Sequence, residues 1–302
     1  MNTAVDLVDL AQRFEVDRGR LKSVAFQLLG SLSDAEDAVQ AAWLKASRSE
    51  YAAVANLTAW LTTITAREAL DQLRARKRRA EQPLTDADAD AAVGERFVAA
   101  AADEEVLMAE SVSRALLVVL DRLPPAQRVA FVLHDVFAVP FETIADLLDR
   151  SPAAAKKLAS RARGRLHPAP SAPAPRTAEH LEVVRAFLAA SRGGDIDTLV
   201  RLLAPDVVRT VDPALVPADV PVEMRGARAV AEETRRFTDR ARAAAVVLID
   251  GRPGIAIAPA GRLQALLRIA VGADNLIQVV DITGDPERLR NAVLTLPPAR
   301  SS

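Results

Sequence analysis

Along residues 151–166, SPAAAKKLASRARGRL, small and apolar positions recur at steps of three and four. Ala155, Leu158, Ala159, Ala162 and Leu166 form the stripe, and Lys156, Lys157, Arg161, Arg163 and Arg165 fall mostly off it. That period predicts a helix with one packed face. Ser151 is a good N-cap and Pro152 suits the first helical position. The basic residues form either a merely solvated face or a surface for phosphates. The residues before the helix decide between these. PFETIADLLDR, residues 140–150, predicts a short helix packing Ile144, Ala145 and Leu148, with a turn at Asp149–Arg150. A short helix, a tight turn and a capped basic helix make the helix-turn-helix pattern, whose second helix enters the DNA major groove. Asp149 stands where glycine is common, and aspartate tolerates left-handed dihedrals.

The same periodicity runs upstream. SDAEDAVQAAWLKA, residues 33–46, predicts a helix opened by a capping box from Ser33 to Glu36. Ala35, Ala38, Val39, Ala42 and Trp43 make its stripe. NLTAWLTTITAREALDQLRARKRRAE, residues 56–81, predicts a helix burying Leu57, Trp60, Leu61, Ile64, Leu70 and Leu73. It ends in Arg74, Arg76, Lys77, Arg78 and Arg79, cations that the helix dipole favours there. Gly19 and Gly30 punctuate this first block. LPPAQRVAFVLHDVF, residues 123–137, predicts a helix burying Val129, Val132, Leu133 and Val136.

After residue 177 the pattern changes class. HLEVVRAFLAASRGGDIDTLVRLLAPDV reads as two amphipathic helices joined at Gly193–Gly194, and ARAVAEETRRFTDRA as a third. AAAVVLID, GIAIAP, LQALLRIAV and NLIQVVDIT then read as short strands separated by turn-forming DGRPG, PAGR and GADN. Helices followed by an antiparallel meander imply an α+β domain. The expected organisation is therefore a helical domain over residues 5–80 and an acidic, Ala-rich tether over 81–105. A helix-turn-helix domain follows over 106–166, then a Pro/Ala spacer over 167–177, and an α+β domain over 178–295.

Composition narrows the chemistry. The chain has 302 residues and a net charge of −1, so a nucleic-acid surface must be local. It has no cysteine, which excludes disulfides and a thiol nucleophile and fits a reducing cytosol. Three histidines leave little for a metal site, and neither a metal nor a cofactor is expected. The N-terminus lacks the basic start and apolar core of a signal peptide, and no apolar run spans a membrane.

VAFQLLGSLSDAEDAVQAAWLKA, LTAWLTTITAREALDQLRARKRR and the stretch from LPPAQRVAF to SRARGRL resemble conserved regions 2 and 4 of extracytoplasmic-function sigma factors. The last block, through VVRAFLAASRGGDIDTLVRLLAPDVV, RGARAVAEE and DITGDPERL, resembles a SnoaL-like domain of the cone-shaped fold. The resemblance implies two all-α domains followed by an α+β cone. It implies a cytoplasmic protein that binds core RNA polymerase (the beta-prime clamp and the beta flap) and promoter DNA, without inserting in a membrane. By the same resemblance Asp34, Asp37 and Gln40 dock on the clamp. Tyr51, Asn56, Arg67, Asp71, Arg74 and Lys77 handle the −10 element, where an unstacked base needs a pocket and the strand needs cations. Ser151, Ala154, Lys156, Lys157, Ser160 and Arg161 handle the −35 element. Trp60 reads as core.

Family members often carry a WLPEP-like motif in the first tether, and many have a DGGG signature after the first strand of the extension. LTDADADAAV and VDPALVPADV stand there instead, which bears on how the extension regulates and not on promoter binding. No catalytic residue is expected. His180 lies at the spacer edge, and Asp206, Asp212, Asp250, Asp274 and Asp281 read as surface acids, although an Asp/Arg arrangement stays open. The expected role of the extension is regulation in cis, with a small-molecule ligand left open. Two alternatives remain: a ligand-sensing helix-turn-helix regulator that acts without polymerase, and a DNA-binding module fused to a small-molecule isomerase or hydrolase.

Overall fold

The computed structural model describes residues 3–51, 54–81, 114–166 and 176–298. The expected acidic tether and most of the Pro/Ala spacer lie outside them. The described chain forms two compact units.

In the first unit α1 (Thr3–Leu29), α2 (Leu32–Ala46) and α3 (Leu57–Glu81) pack against one another. Leu10, Leu21, Leu28, Leu61 and Leu70 fill the core, and Leu73 is buried beside them. Leu57, Trp60 and Ile64, expected in the core stripe, are half-buried. Gly19 does not break α1; Gly30 does, with φ of 77°, a conformation glycine adopts without a Cβ penalty. The expected capping box at Ser33 is not formed. The helix begins two residues earlier, with Ser31 as N-cap accepting from the Asp34 N–H at 3.3 Å. Glu36 instead pairs with Lys22 at 2.6 Å, tying α2 to α1. Asp17, buried in α1, accepts from Arg13 at 3.1 Å and from the Thr58 hydroxyl at 2.7 Å, which fixes α1 to the start of α3.

The same unit contains Leu123–Arg165. α5 (Pro125–Phe131) continues into a π-helical turn (Val132–Val136), followed by α6 (Phe141–Leu148) and α7 (Pro152–Leu166). The π turn corrects one expectation. It widens the helix by a residue per turn, so Val136 leaves the stripe and is exposed while Val129, Val132 and Leu133 stay buried. His134 closes the turn, stacking on Phe141 at 3.8 Å with its Nδ1 3.1 Å from the Val139 carbonyl. α3 packs on α5 and α6, and α1 packs on the π turn. In that contact Arg128 is 2% exposed and its Nη2 lies 3.5 Å from the Gln27 carbonyl. The side-chain carbonyls of Gln27 and Gln127 are buried without a hydrogen-bond partner among the described residues.

The second unit holds α4 (Arg114–Asp121) and the chain from Leu166 onward. α8 (Thr177–Gly193) and α9 (Ile196–Leu202) are the two expected helices, but the second stops at Leu202. The residues after it, LAPDVVRTV, form β1 (Leu203–Val211), a strand whose start was expected to be helix. β2 (Glu223–Arg225) follows. The third expected helix is two, α10 (Ala227–Arg235) and α11 (Thr238–Arg242), broken at Arg236–Phe237. The four expected strands are β3 (Ala244–Ile249), β4 (Arg252–Ile257), β5 (Ala265–Val271) and β6 (Ile277–Thr283). α12 (Pro286–Asn291) and β7 (Leu294–Thr295) close the chain.

The sheet is seven-stranded in the order β2-β1-β6-β5-β4-β3-β7. It is not wholly antiparallel: β1 runs parallel to β6, with α10, α11 and four strands between them in sequence. Asp250 and Gly251 turn the β3–β4 hairpin at φ of 52° and 80°, the two positive values a two-residue primed turn needs. Strand alternation gives the sheet two apolar faces. Leu267, Ile255, Val280 and Val207 share the core with Phe187, Leu188, Leu199 and Val230 of the helices. Val247, Ile249, Ala256 and Leu266 alternate with that set and are equally buried. α4 packs on β3, and five of its eight residues are buried.

Asp212 ties β1 to the end of β6. Its Oδ2 accepts from the Thr283 hydroxyl at 2.7 Å and from the Gly284 and Asp285 N–H groups at 2.7 and 3.0 Å. Burial opposes the charge, but these bonds, with Arg288 nearby, hold the carboxyl below the ordinary carboxylate range. A depressed folded-state value means stability that is present above the ordinary carboxylate range and lost as pH falls through the lowered value. Asp212→Asn should cost about 1–2 kcal/mol at neutral pH. Denaturant titrations of the two proteins should converge as the pH is lowered below the ordinary carboxylate range.

Candidate nucleic-acid interface

α7 is positioned by its neighbours. α6 ends at Asp149, which adopts left-handed φ of 53° and ψ of 57°, and the Arg150 N–H returns to the Ala145 carbonyl at 2.9 Å. That closes α6 with the bond pattern glycine usually provides. Ser151 then caps α7, accepting from the Ala154 N–H at 3.2 Å. Ala155, Ala159, Ala162 and Leu166 are buried and Leu158 is half-buried. Small residues let α7 sit close to its partners, which leaves Lys156, Lys157, Ser160 and Arg161 exposed. None of these four side chains makes a hydrogen bond or ion pair among the described residues. Ala154 is half-buried at the base of that face. Arg163 is different: it pairs with Asp135 at 2.8 Å and anchors α7 to the π turn.

A second basic face lies on α3. Arg67, Asp71, Arg74 and Lys77 are all exposed and follow one another at three- and four-residue steps. Asp71 and Arg74 form a loose pair at 3.6 Å. Asn56 is the N-cap of α3, its Oδ1 accepting from the Ala59 N–H at 3.0 Å. Tyr51 is half-buried and its ring lies 6.3 Å from that of Trp60, so the two aromatics form one patch at the start of α3.

The α2 set divides. Asp37 and Gln40 are exposed, whereas Asp34 forms an ion pair with Arg76. Arg76 also donates to the Leu29 carbonyl at 3.0 Å, so one guanidinium fastens the end of α1 and the start of α2 to α3. Arg76 thus stands apart from its exposed neighbours Lys77, Arg78 and Arg79. Sequence gave no sign of this: the pair spans 42 residues and joins two separate helices.

Residues 14–79, most of α1 with α2 and α3, match the Sigma-70 region 2 family, and residues 113–166, α4 to α7, match Sigma-70 region 4. The chain is 46% identical over 203 residues to the ECF RNA polymerase sigma factor SigJ of Mycobacterium tuberculosis, covering 66% of this chain and 64% of SigJ. It is 35% identical over 198 residues to the same organism's "Probable ECF RNA polymerase sigma factor SigI", covering 65% of this chain and 67% of that one. The chain belongs to the extracytoplasmic-function sigma factors. The crystal structure of M. tuberculosis SigJ aligns with a TM-score of 0.43 at 32% identity, over 92% of this chain and 98% of that one.

In sigma-factor terms, the region 4 match is split between the two units. Its first helix, α4, lies with the C-terminal sheet, and its helix-turn-helix lies with region 2. Arg122, directly after α4, donates to the Arg290 carbonyl at 2.6 Å and the Ala292 carbonyl at 3.3 Å. Burial pushes its guanidinium down from the ordinary value.

Arg76→Ala should destabilise region 2 by about 1–3 kcal/mol, because it leaves a half-buried carboxylate and a helix-end carbonyl unmet. Arg78→Ala, on an exposed neighbour, should change stability by less than about 0.5 kcal/mol. Urea midpoints of the two variants check this.

Proposed function

We propose that the chain is a promoter-specificity subunit of bacterial RNA polymerase, and that its C-terminal domain regulates it in cis. The observation that carries the reading is the capped α7 with its unpartnered basic face, on one chain with region 2. A repressor that binds only duplex DNA needs no region 2. Asp37 and Gln40 on the open side of α2 are the contacts for core enzyme, and Asp34 contributes through the geometry that Arg76 gives it. The −10 strand runs along Arg67, Arg74 and Lys77 from the Tyr51–Asn56 end, with Asp71 setting the Arg74 rotamer. Ser151, Ala154, Lys156, Lys157, Ser160 and Arg161 meet the −35 element, the cations reaching phosphates or guanine edges.

Two features support control in cis. Promoter elements near −35 and −10 lie about 25 base pairs apart, roughly 85 Å of B-form duplex. Region 2 and the helix-turn-helix pack as one unit, in which the 27-residue α1 is about 40 Å long. Reading both elements requires them to part. The second feature is α4, which packs on the sheet of the extension and so withholds part of region 4. The packed form is the resting state in this reading, and the extension helps to hold it.

The extension is read as non-catalytic. Asp212, Asp250 and Asp281 are engaged in holding strands: Asp250 accepts from the Val293 N–H at 2.9 Å and pairs with Arg268 at 3.0 Å, and Asp281 pairs with Arg288 at 2.7 Å. No helix among the described residues is long and apolar enough to cross a membrane.

Run-off transcription with actinobacterial core RNA polymerase, on templates with varied −35 and −10 elements, tests the reading. The full chain or a version ending at Leu166 should initiate from a defined pair of elements, with different yields. Failure of both to bind core enzyme, with duplex binding retained, would leave the stand-alone regulator instead. Lys157→Ala should flatten the salt dependence of −35 duplex binding by about one unit of slope if Lys157 contacts a phosphate. Leu117→Asp, which places a charge on the buried face of α4, should raise transcription by the full chain and leave its promoter preference unchanged.

A further inference from the structure

Asp17, on α1, is the most buried acid among the described residues, 7% exposed. Its Oδ2 accepts from the Arg13 Nε–H at 3.1 Å, one turn back in α1, and from the Thr58 hydroxyl at 2.7 Å, across in α3. The Thr58 oxygen in turn accepts from the Arg13 Nε–H at 3.0 Å and from Arg13 Nη2. One hydroxyl therefore donates to a buried carboxylate and accepts from a guanidinium, which fixes its rotamer and its place against α1. Stability is a poor reason for this arrangement. Withdrawing a carboxylate from water carries a penalty that pairing offsets only in part, and an apolar contact of similar volume would hold two helices as well. What the bridge adds is direction: it defines one setting of α3 against α1.

The place of Thr58 gives that setting a use. Thr58 lies in the first turn of α3, two residues after the cap Asn56 and two before Trp60. The Asn56 side chain accepts from the Ala59 N–H at 3.0 Å, and its backbone carbonyl accepts from the Trp60 N–H at 3.0 Å. Cap, hydroxyl and tryptophan are thus parts of one turn. Tyr51 joins them through its ring, 6.3 Å from that of Trp60. The Thr62 hydroxyl donates to the Thr58 carbonyl at 2.7 Å and carries the constraint into the next turn. A displacement of Thr58 is therefore a displacement of Asn56 and of the aromatic patch.

We propose that Asp17, acting through Thr58, is a positioning residue for reading the −10 element: it holds Asn56 and the Tyr51–Trp60 patch in the geometry that captures an unstacked base. The proposal rests on the sigma-factor function set out above, in which that end of α3 meets the −10 strand. Asp17 is too buried to meet DNA itself. Capture of a flipped base depends on placement to within about half an ångström, which supporting hydrogen bonds supply.

Holoenzyme assembled from the full chain and actinobacterial core RNA polymerase tests this by selection from fork-junction DNA. The probe is duplex through the −35 element and carries a single-stranded segment randomised over the −10 element. Sequencing the bound fraction gives the base preference at each position. Thr58→Val keeps the side chain's shape and removes its hydrogen bonds. It should lower the preference at the most selective −10 position by about tenfold, the size of one mispositioned base contact. Its affinity for core enzyme and for a −35 duplex should stay within about twofold of the parent's. Thr58→Ser, which restores the hydroxyl, should recover most of the preference. Asp17→Asn keeps an acceptor for the hydroxyl without the charge, so it should relax the preference by about threefold. That variant decides if Thr58→Val does not fold. Parent-level preference in the deciding variant would overturn the proposal. So would no recovery in Thr58→Ser, or a loss of core and −35 binding in step with the −10 preference, the mark of a merely structural role. Both failures are distinguishable. A parent holoenzyme that selects no −10 sequence would sink the sigma-factor reading and this proposal with it. A parent that selects, beside variants that select equally well, would sink this proposal alone.

Discussion

The packing of region 2 against the helix-turn-helix is the constraint on which the rest of the molecule turns. α3 leans on α5 and α6, which position α7. The contact buries Arg128 against the Gln27 backbone and leaves the side-chain carbonyls of Gln27 and Gln127 unmet. Each unmet carbonyl costs about 1–3 kcal/mol, which offsets part of what the apolar contact contributes. An interface of this kind holds two domains together in the absence of a competitor and yields to one with better-matched surfaces. In the function proposed above, core polymerase and promoter DNA together are such a competitor. The split of region 4 follows the same logic. α4 finds apolar burial on the sheet of the extension, so freeing the helix-turn-helix from region 2 would not by itself reassemble region 4.

Much of the helix-turn-helix was legible in the sequence because it rests on local rules. The cap at Ser151, Pro152, the alanine stripe and the Asp149 turn are each decided within a few residues. Each appears as expected. Where two local signals competed, the sequence misled. Ser31 and Ser33 each precede an acid by three residues, and the end of α1 at Gly30 favours the earlier cap. The π turn at Val132–Val136 has no strong sequence signature, so Val136 was read into a stripe that the extra residue breaks. β1 was obscured by Ala204-Pro205-Asp206, which interrupts the alternation a strand should show. The register shift between Leu203 and Val208 is the structural form of that interruption.

Non-local arrangements were hidden altogether. The parallel pairing of β1 with β6, the docking of α4 on β3 and the Asp34–Arg76 pair each join residues far apart in the chain. The buried ion pair of Arg209 on β1 with Glu233 on α10 is of the same kind, since neither residue stands out among the arginines and glutamates of the sequence. The aspartates expected at the surface of the extension are exposed or half-buried. The aspartates do structural work at strand ends, while the acid that enters the interior is Glu233.

Because the chain has no cysteine, a pair of spin labels can be introduced without background. Cysteines at Arg78 in α3 and Arg165 in α7, both exposed and outside the contacts assigned above, would report the separation of these two helices by pulsed electron resonance. The account predicts one short, narrow distance in the free protein. With core RNA polymerase and a promoter duplex that distance should be replaced by one longer by some tens of ångströms, as the roughly 85 Å span of the two elements demands. An unchanged distance in a complex that transcribes would contradict the account, since both elements would then be read without the two domains parting.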